Sequence, residues 1–121
     1  MELKKVQELL CATVYAGADL VDEIEVKEAC GSDLMSDVLA FVKEQGLLLT
    51  GLQNLQAIRT AEMMDMQAVV FVRGKVPTEE MIQAADRMDI VLMTTELPMF
   101  VACGKLFANG LGGRKAVMDL E

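Results

Sequence analysis

The residues of this chain best suited to chemistry are small polar groups that end its apolar runs. Thr50-Gly51-Leu52-Gln53-Asn54 closes the run Leu47–Thr50, Arg73-Gly74-Lys75 follows Ala68–Val72, and Thr94-Thr95-Glu96 closes Ile90–Thr94. If those runs are parallel strands, the groups gather at the carboxyl ends of the strands. There, α/β proteins bind ligands and helix N-termini present unpaired amides. Thr50, Gly51, Gln53, Asn54, Arg73, Lys75, Thr94 and Thr95 are therefore the candidate ligand-binding set, with the first four expected beside Thr94 and Thr95. Gly51 would let a ligand approach the backbone with no Cβ in the way. Arg73 and Lys75 would add local positive charge. Hydroxyls, amides and two cations suit a phosphate-bearing ligand better than an uncharged one.

Other chemistry is excluded by what is missing. The 121 residues contain no histidine, which removes the commonest general base and the commonest metal ligand together. No GxxxxGK[ST] phosphate loop and no GxSxG nucleophile elbow occurs. The glycine-rich string Gly110-Leu111-Gly112-Gly113-Arg114 follows a helical segment where a nucleotide fingerprint would follow a strand. Cys11, Cys30 and Cys103 lack metal-ligand spacing, although folding could still bring Cys11 and Cys30 together. Buried structural thiols are the simpler reading. The densest acidic cluster, Asp19, Asp22, Glu23 and Glu25, reads as a solvated loop. No catalytic residue, metal or cofactor is expected. The alternative reading is a small enzyme using carboxylate or cysteine chemistry.

With 19 acidic against 11 basic residues the chain carries a net charge of −8, which disfavours nucleic acid and anionic membrane surfaces as partners. No apolar run reaches the roughly 20 residues of a membrane span. MELKKVQELL reads as an amphipathic helix and not as a signal peptide. An odd number of scattered cysteines argues against a disulfide framework, so a reducing cytoplasm is the expected compartment.

The elements that must position the candidate groups follow from periodicity. Near-continuous apolar runs indicate strands buried on both faces. Between them lie helical patterns: Ala57, Ile58, Ala61 and Met64; Met81, Ile82, Ala85 and Met88; Phe100, Cys103, Gly104 and Phe107. Thr78 is placed to cap the middle helix, and Thr95 to cap the last, with Pro98 in its first turn and Gly110 at its end. Met64-Asp65-Met66 and Met88-Asp89-Ile90 echo one another where helices feed strands. In the N-terminal part, residues 2–10 predict a helix, and Thr13–Tyr15 and Ile24–Ala29 predict strands. Ser32 caps a helix with Leu34, Met35, Val38, Phe41 and Val42 inward, closed by Gly46. The expectation is a three-layer α/β/α sandwich with a mainly parallel sheet, one domain over residues 1–111 and a C-terminal tail over 112–121. Most of the ten methionines fall at inward helical positions, so core filling accounts for them.

The order and texture of these segments resemble the DRTGG domain family and, more distantly, the N-terminal domain of bacterial HPr kinase/phosphorylases. The resemblance runs from about Leu3 to Leu111. It is carried by Leu3-Lys4-Lys5-Val6-Gln7-Glu8-Leu9-Leu10, Val14-Tyr15-Ala16-Gly17 and the Ser32–Leu39 segment. Leu48-Leu49-Thr50-Gly51, Phe71-Val72-Arg73-Gly74-Lys75 and Pro98-Met99-Phe100 complete it. The string D-R-T-G-G itself is absent. The resemblance implies an accessory module of the kind found beside nucleotide-sensing CBS domains, with a tendency to self-associate. The expected function is therefore that of a non-catalytic regulatory or interaction module of DRTGG type. It would be a homodimer sensing a nucleotide or phosphorylated metabolite.

Overall fold

A computed structural model of the chain describes residues 1–41 and 46–112. Its elements run α1 (Leu3–Leu10), β1 (Thr13–Ala16), β2 (Glu28–Gly31), α2 (Met35–Phe41), β3 (Gly46–Thr50), α3 (Leu55–Met63), β4 (Ala68–Val72), α4 (Glu79–Arg87), β5 (Val91–Thr95) and α5 (Met99–Ala108). Among the described residues the strands form one five-stranded sheet in the order β1-β5-β4-β3-β2. β2, β3, β4 and β5 are parallel neighbours, and β1 closes one edge antiparallel to β5. The expected α/β sandwich with a mainly parallel sheet is thus the fold observed.

The apolar runs become the three central strands because every residue of β3, β4 and β5 is buried. Alternate residues feed two cores. Leu47, Leu49, Val70, Val91 and Met93 pack under α1 and α5 with Leu3, Val6, Leu10, Ala102 and Leu106. Leu48, Val69, Phe71 and Leu92 pack under the other helices with Val38, Ile58, Ala61, Met81 and Ala85. Thr78 caps α4 as expected, its hydroxyl accepting from the Met81 N–H at 3.2 Å.

The sequence echo has a geometric cause. Asp65 and Asp89 both sit at φ 54°, one residue past the C-caps of α3 and α4. The following N–H groups of Met66 and Ile90 donate back to Ala61 and Ala85 at 2.9 and 3.0 Å. The same left-handed helix stop is therefore built twice, with Asp where glycine is usual. Cys11, at φ 49° after α1, and Gly110, at φ 102° after α5, build it again.

Several expectations need correction. The second strand is Glu28–Gly31 and not Ile24–Ala29; Glu25 makes only an isolated bridge to Glu2, while buried Val26 donates its N–H to the Met1 carbonyl. Alternation in the sequence marked the approach to the sheet as well as the strand. Gly46, expected at the end of the preceding helix, opens β3 opposite Glu28. Ser32 stands three residues before α2, where its hydroxyl accepts from the Leu34 N–H at 3.0 Å, and Leu34 is exposed. Thr95 does not cap α5, which starts after Pro98 with no side-chain cap.

The largest correction concerns α5: of its expected inward face, Phe100, Gly104 and Phe107 are turned outward, and Cys103 is only half-buried, against the core beside Gly31. Ala102 and Leu106 are buried instead, while Phe100 is 88% exposed and Phe107 62%. MFVACGKLFA is apolar on nearly every side, so periodicity had no contrast with which to choose a face. Val42 and the tail beyond Gly112 lie outside the described residues.

Candidate functional site

The carboxyl ends of β3, β4 and β5 do share one edge of the sheet, but β4 lies between the other two. Thr50 is level with Phe71, and Phe71 with Thr94. Two strand spacings of about 4.8 Å therefore separate Thr50 from Thr94. Phe71 of β4 stands between them, and Arg73 follows the end of that strand.

At the end of β3 the chain supplies its own anion. Asp33 Oδ1 accepts from the Gly51 N–H at 2.6 Å and from the Thr50 hydroxyl at 3.3 Å. Thr50 Oγ1 in turn accepts from the Leu52 N–H at 3.1 Å. A Cβ at position 51 would meet Asp33 Oδ1 at 3.2 Å, so the open side of the glycine faces this carboxylate. Asn54 caps α3, accepting from the Ala57 N–H at 3.0 Å. Gln53 reaches across to the next loop: its Nε2 donates to the Lys75 carbonyl at 2.7 Å, and its Oε1 accepts from the Lys75 N–H at 3.1 Å. The amide thus clamps the Lys75 backbone as a paired strand would.

Arg73 is exposed and left-handed at φ 45°; its N–H donates to the Leu97 carbonyl at 3.0 Å. Thr95 is turned to the α1 side, where its buried hydroxyl donates to the Leu10 carbonyl at 2.7 Å. Thr94 is turned to the opposite face. With Lys75 it lines a cleft of about 460 Å³ between β1 and the loop after β4, whose other walls are Cys11, Thr13, Tyr15, Gly74, Val76 and Glu96. Of the eight candidate residues, then, Lys75 and Thr94 meet in a cavity and Gln53 positions one of them. Thr50, Gly51 and Asn54 are engaged elsewhere. Sequence reasoning missed Asp33, Thr13 and Tyr15, because the pairing of β1 with β5 and the return of Asp33 to β3 are long-range contacts.

A second surface lies along α5. An apolar groove of about 370 Å³ runs between α5 and β2, lined by Ala29, Gly31, Leu49, Phe100, Cys103, Gly104, Leu106, Phe107, Leu111 and Gly112. Not one of these residues is charged. Exposed Phe100 and Phe107 stand at its rim.

Cys11 and Cys30 are not brought together. Cys11 caps α1 beside the β1 edge and Cys30 lies on β2, at the opposite edge of the sheet. Burial pushes the Cys30 thiol above its ordinary range, helped by the charges of Asp37 and Cys103; burial does the same to Cys103. A thiol held protonated is a poor nucleophile and a poor metal ligand. Among the described residues no group of three or more His, Cys, Asp or Glu is arranged to hold a metal ion. No helix among them is long and apolar enough to cross a membrane.

No family model matches this chain, and no curated protein matches it. A solved structure does: the CBS and DRTGG domains of the regulatory region of Clostridium perfringens pyrophosphatase, complexed with its activator diadenosine tetraphosphate. The superposition has a TM-score of 0.69 at 14% identity and covers 87% of this chain but 45% of that one. This chain therefore spans less than half the length of that structure. At such identity the likeness is one of fold, and it agrees with the DRTGG resemblance read from the sequence.

Proposed function

We propose that the chain is a non-catalytic regulatory or interaction module of DRTGG type that works as a homodimer and senses a nucleotide or phosphorylated metabolite. The observation that carries this reading is the outward apolar face of α5. Phe100 at 88% exposure and Phe107 at 62% line a groove without charge, and Val101 on the same helix is 38% exposed. Exposed apolar area of this kind marks an interaction surface.

A second copy is the occupant that fits. Knobs and groove lie on the same patch, which is what a two-fold, self-complementary interface requires. Each copy carries −8, so two copies approach most readily through a face free of carboxylates; α5 has only one charged residue, Lys105. Two phenylalanines of about 200 Å² each expose on the order of 300 Å² per protomer. Burial at about 25 cal/mol per Å² then contributes roughly 7 kcal/mol per protomer before the cost of association.

The sensing half of the proposal is supported by the fold it shares with the pyrophosphatase regulatory region, which was crystallised with a nucleotide activator. It is also supported by the set of Thr50, Gly51, Gln53, Asn54, Arg73, Lys75, Thr94 and Thr95 at one end of the sheet. Sedimentation velocity on Phe100→Glu and Phe107→Glu, alone and together, tests the assembly. Both side chains point to solvent, so the fold should survive, with an unchanged circular dichroism spectrum. The double variant should sediment as a monomer at concentrations where the parent is a dimer. Equal sedimentation of parent and double variant as dimers would remove α5 from the account.

A further inference from the structure

We infer that the cleft between β1 and the loop after β4 is the sensor's ligand site, and that its ligand is a nucleoside monophosphate; this deepens the sensing half of the function proposed above. The argument begins at Tyr15, the chain's single tyrosine in a sequence with no tryptophan. β1 pairs with β5 through Val14 opposite Met93 and Ala16 opposite Leu92, which leaves Tyr15 as the extra residue of a β-bulge. Tyr15 lies two residues from Thr13, on the same face of β1, and the two line the cleft together with Thr94.

The second observation is Thr94, which is 7% exposed and lines the cleft. The hydroxyl of Thr50 is engaged with Asp33 and that of Thr95 with Leu10, so of these three strand-end threonines Thr94 is the one that borders this cleft.

The third is the way Lys75 is held. A Cβ on Gly74 would come within 2.7 Å of the Phe71 carbonyl and 2.9 Å of Thr94 Cβ, so only glycine lets this loop lie flat against Thr94. Gln53 then fixes the Lys75 backbone through both ends of its amide. The loop is set before any ligand arrives, which lowers the ordering cost of binding.

These groups select a ligand class. Tyr15 offers an aromatic face for a base, Lys75 a single compact cation for a phosphate, and Glu96 a carboxylate able to accept from a ribose hydroxyl. About 460 Å³ is the scale of a small-ligand site. One lysine in a molecule of net charge −8 matches one phosphate; a triphosphate would bring more negative charge than the cleft can answer.

The test uses the full chain with fluorotyrosine in place of tyrosine, so that one fluorine resonance reports on position 15 alone. AMP, adenosine, ribose 5-phosphate, inorganic phosphate and ATP are titrated in turn, and melting temperature is followed in parallel. AMP should move the resonance saturably and bind at least tenfold more tightly than adenosine or phosphate, and more tightly than ATP. Lys75→Ala, on an exposed side chain, should weaken AMP at least tenfold. Thr94→Val should weaken it at least threefold while leaving the melting temperature equal or higher, an outcome that a merely structural hydroxyl would not give. If a phosphate-bearing compound raises the melting temperature while the Tyr15 resonance stays fixed, the sensing function stands and the cleft assignment is wrong. If none of the five compounds moves either signal, the ligand class is wrong. Adenosine binding as tightly as AMP would also overturn the role given to Lys75.

Discussion

Gly31→Ala should destabilise the protein because α5 rests directly on β2 at that glycine. An added Cβ would lie 2.6 Å from Cys103 Sγ and 3.2 Å from Met99 Sδ. Gly31 is ordinary strand backbone in β2, so the penalty is steric and not conformational. Overpacking of this kind costs about 1–3 kcal/mol. Cys103→Ala removes the nearer obstacle; its half-buried sulfur is worth about 0.5 kcal/mol on the scale of a buried methylene. In the double variant the alanine methyl at 31 enters the space the sulfur has left. The two changes should then offset one another by about 1–2 kcal/mol. Urea denaturation at one fixed protomer concentration measures this, since assembly adds its own stability. With a slope of about 2 kcal/mol per molar, Gly31→Ala should lower the midpoint by about 1 M and the double variant should recover most of it. Additive losses across the cycle would mean that α5 is not seated on Gly31 as described.

Other expectations follow from single contacts. Thr95→Val should cost about 1–3 kcal/mol in urea denaturation, because it leaves the Leu10 carbonyl without its buried 2.7 Å donor; an unchanged midpoint would contradict that bond. Gln67→Met should raise stability by about 1 kcal/mol, because Gln67 Oε1 is buried without a partner, and a loss would show that the oxygen is satisfied. In peptide mapping after alkylation at neutral pH, exposed Cys11 should react well before Cys30 and Cys103, whose thiols burial holds protonated to higher pH; equal rates in the folded protein would contradict this. The same shifts have a sign for stability: a thiol raised in the folded state favours folding below the ordinary thiol range and loses that contribution as pH rises from that range through the raised folded value. Cys30→Ala should therefore flatten the alkaline decline seen by thermal melting.

The central strands were legible because Leu47–Leu49, Ala68–Val72 and Val91–Met93 are buried on both faces, and such burial leaves continuous apolar runs. The cap at Thr78 and the stop at Gly110 were legible because they rest on local chemistry. The facing of α5 was not, since an evenly apolar helix has no polar side to mark solvent. Strand order was not legible either, and it decides the site. With β4 between β3 and β5, Thr50 and Thr94 serve different surroundings. Lys75 and Thr94 were named from sequence because they end buried strands. Tyr15 and Asp33 were not, because their roles depend on β1 joining β5 and on the start of α2 folding back to Thr50.

The central claim is that this module acts as a pair of chains joined through α5, and the molar mass of the wild-type protein tests it most directly. Static light scattering across a concentration series into the high micromolar range should give a mass rising to twice 13.2 kDa and levelling there, as a closed two-fold interface requires. A mass that remains at 13.2 kDa over the whole series would contradict it.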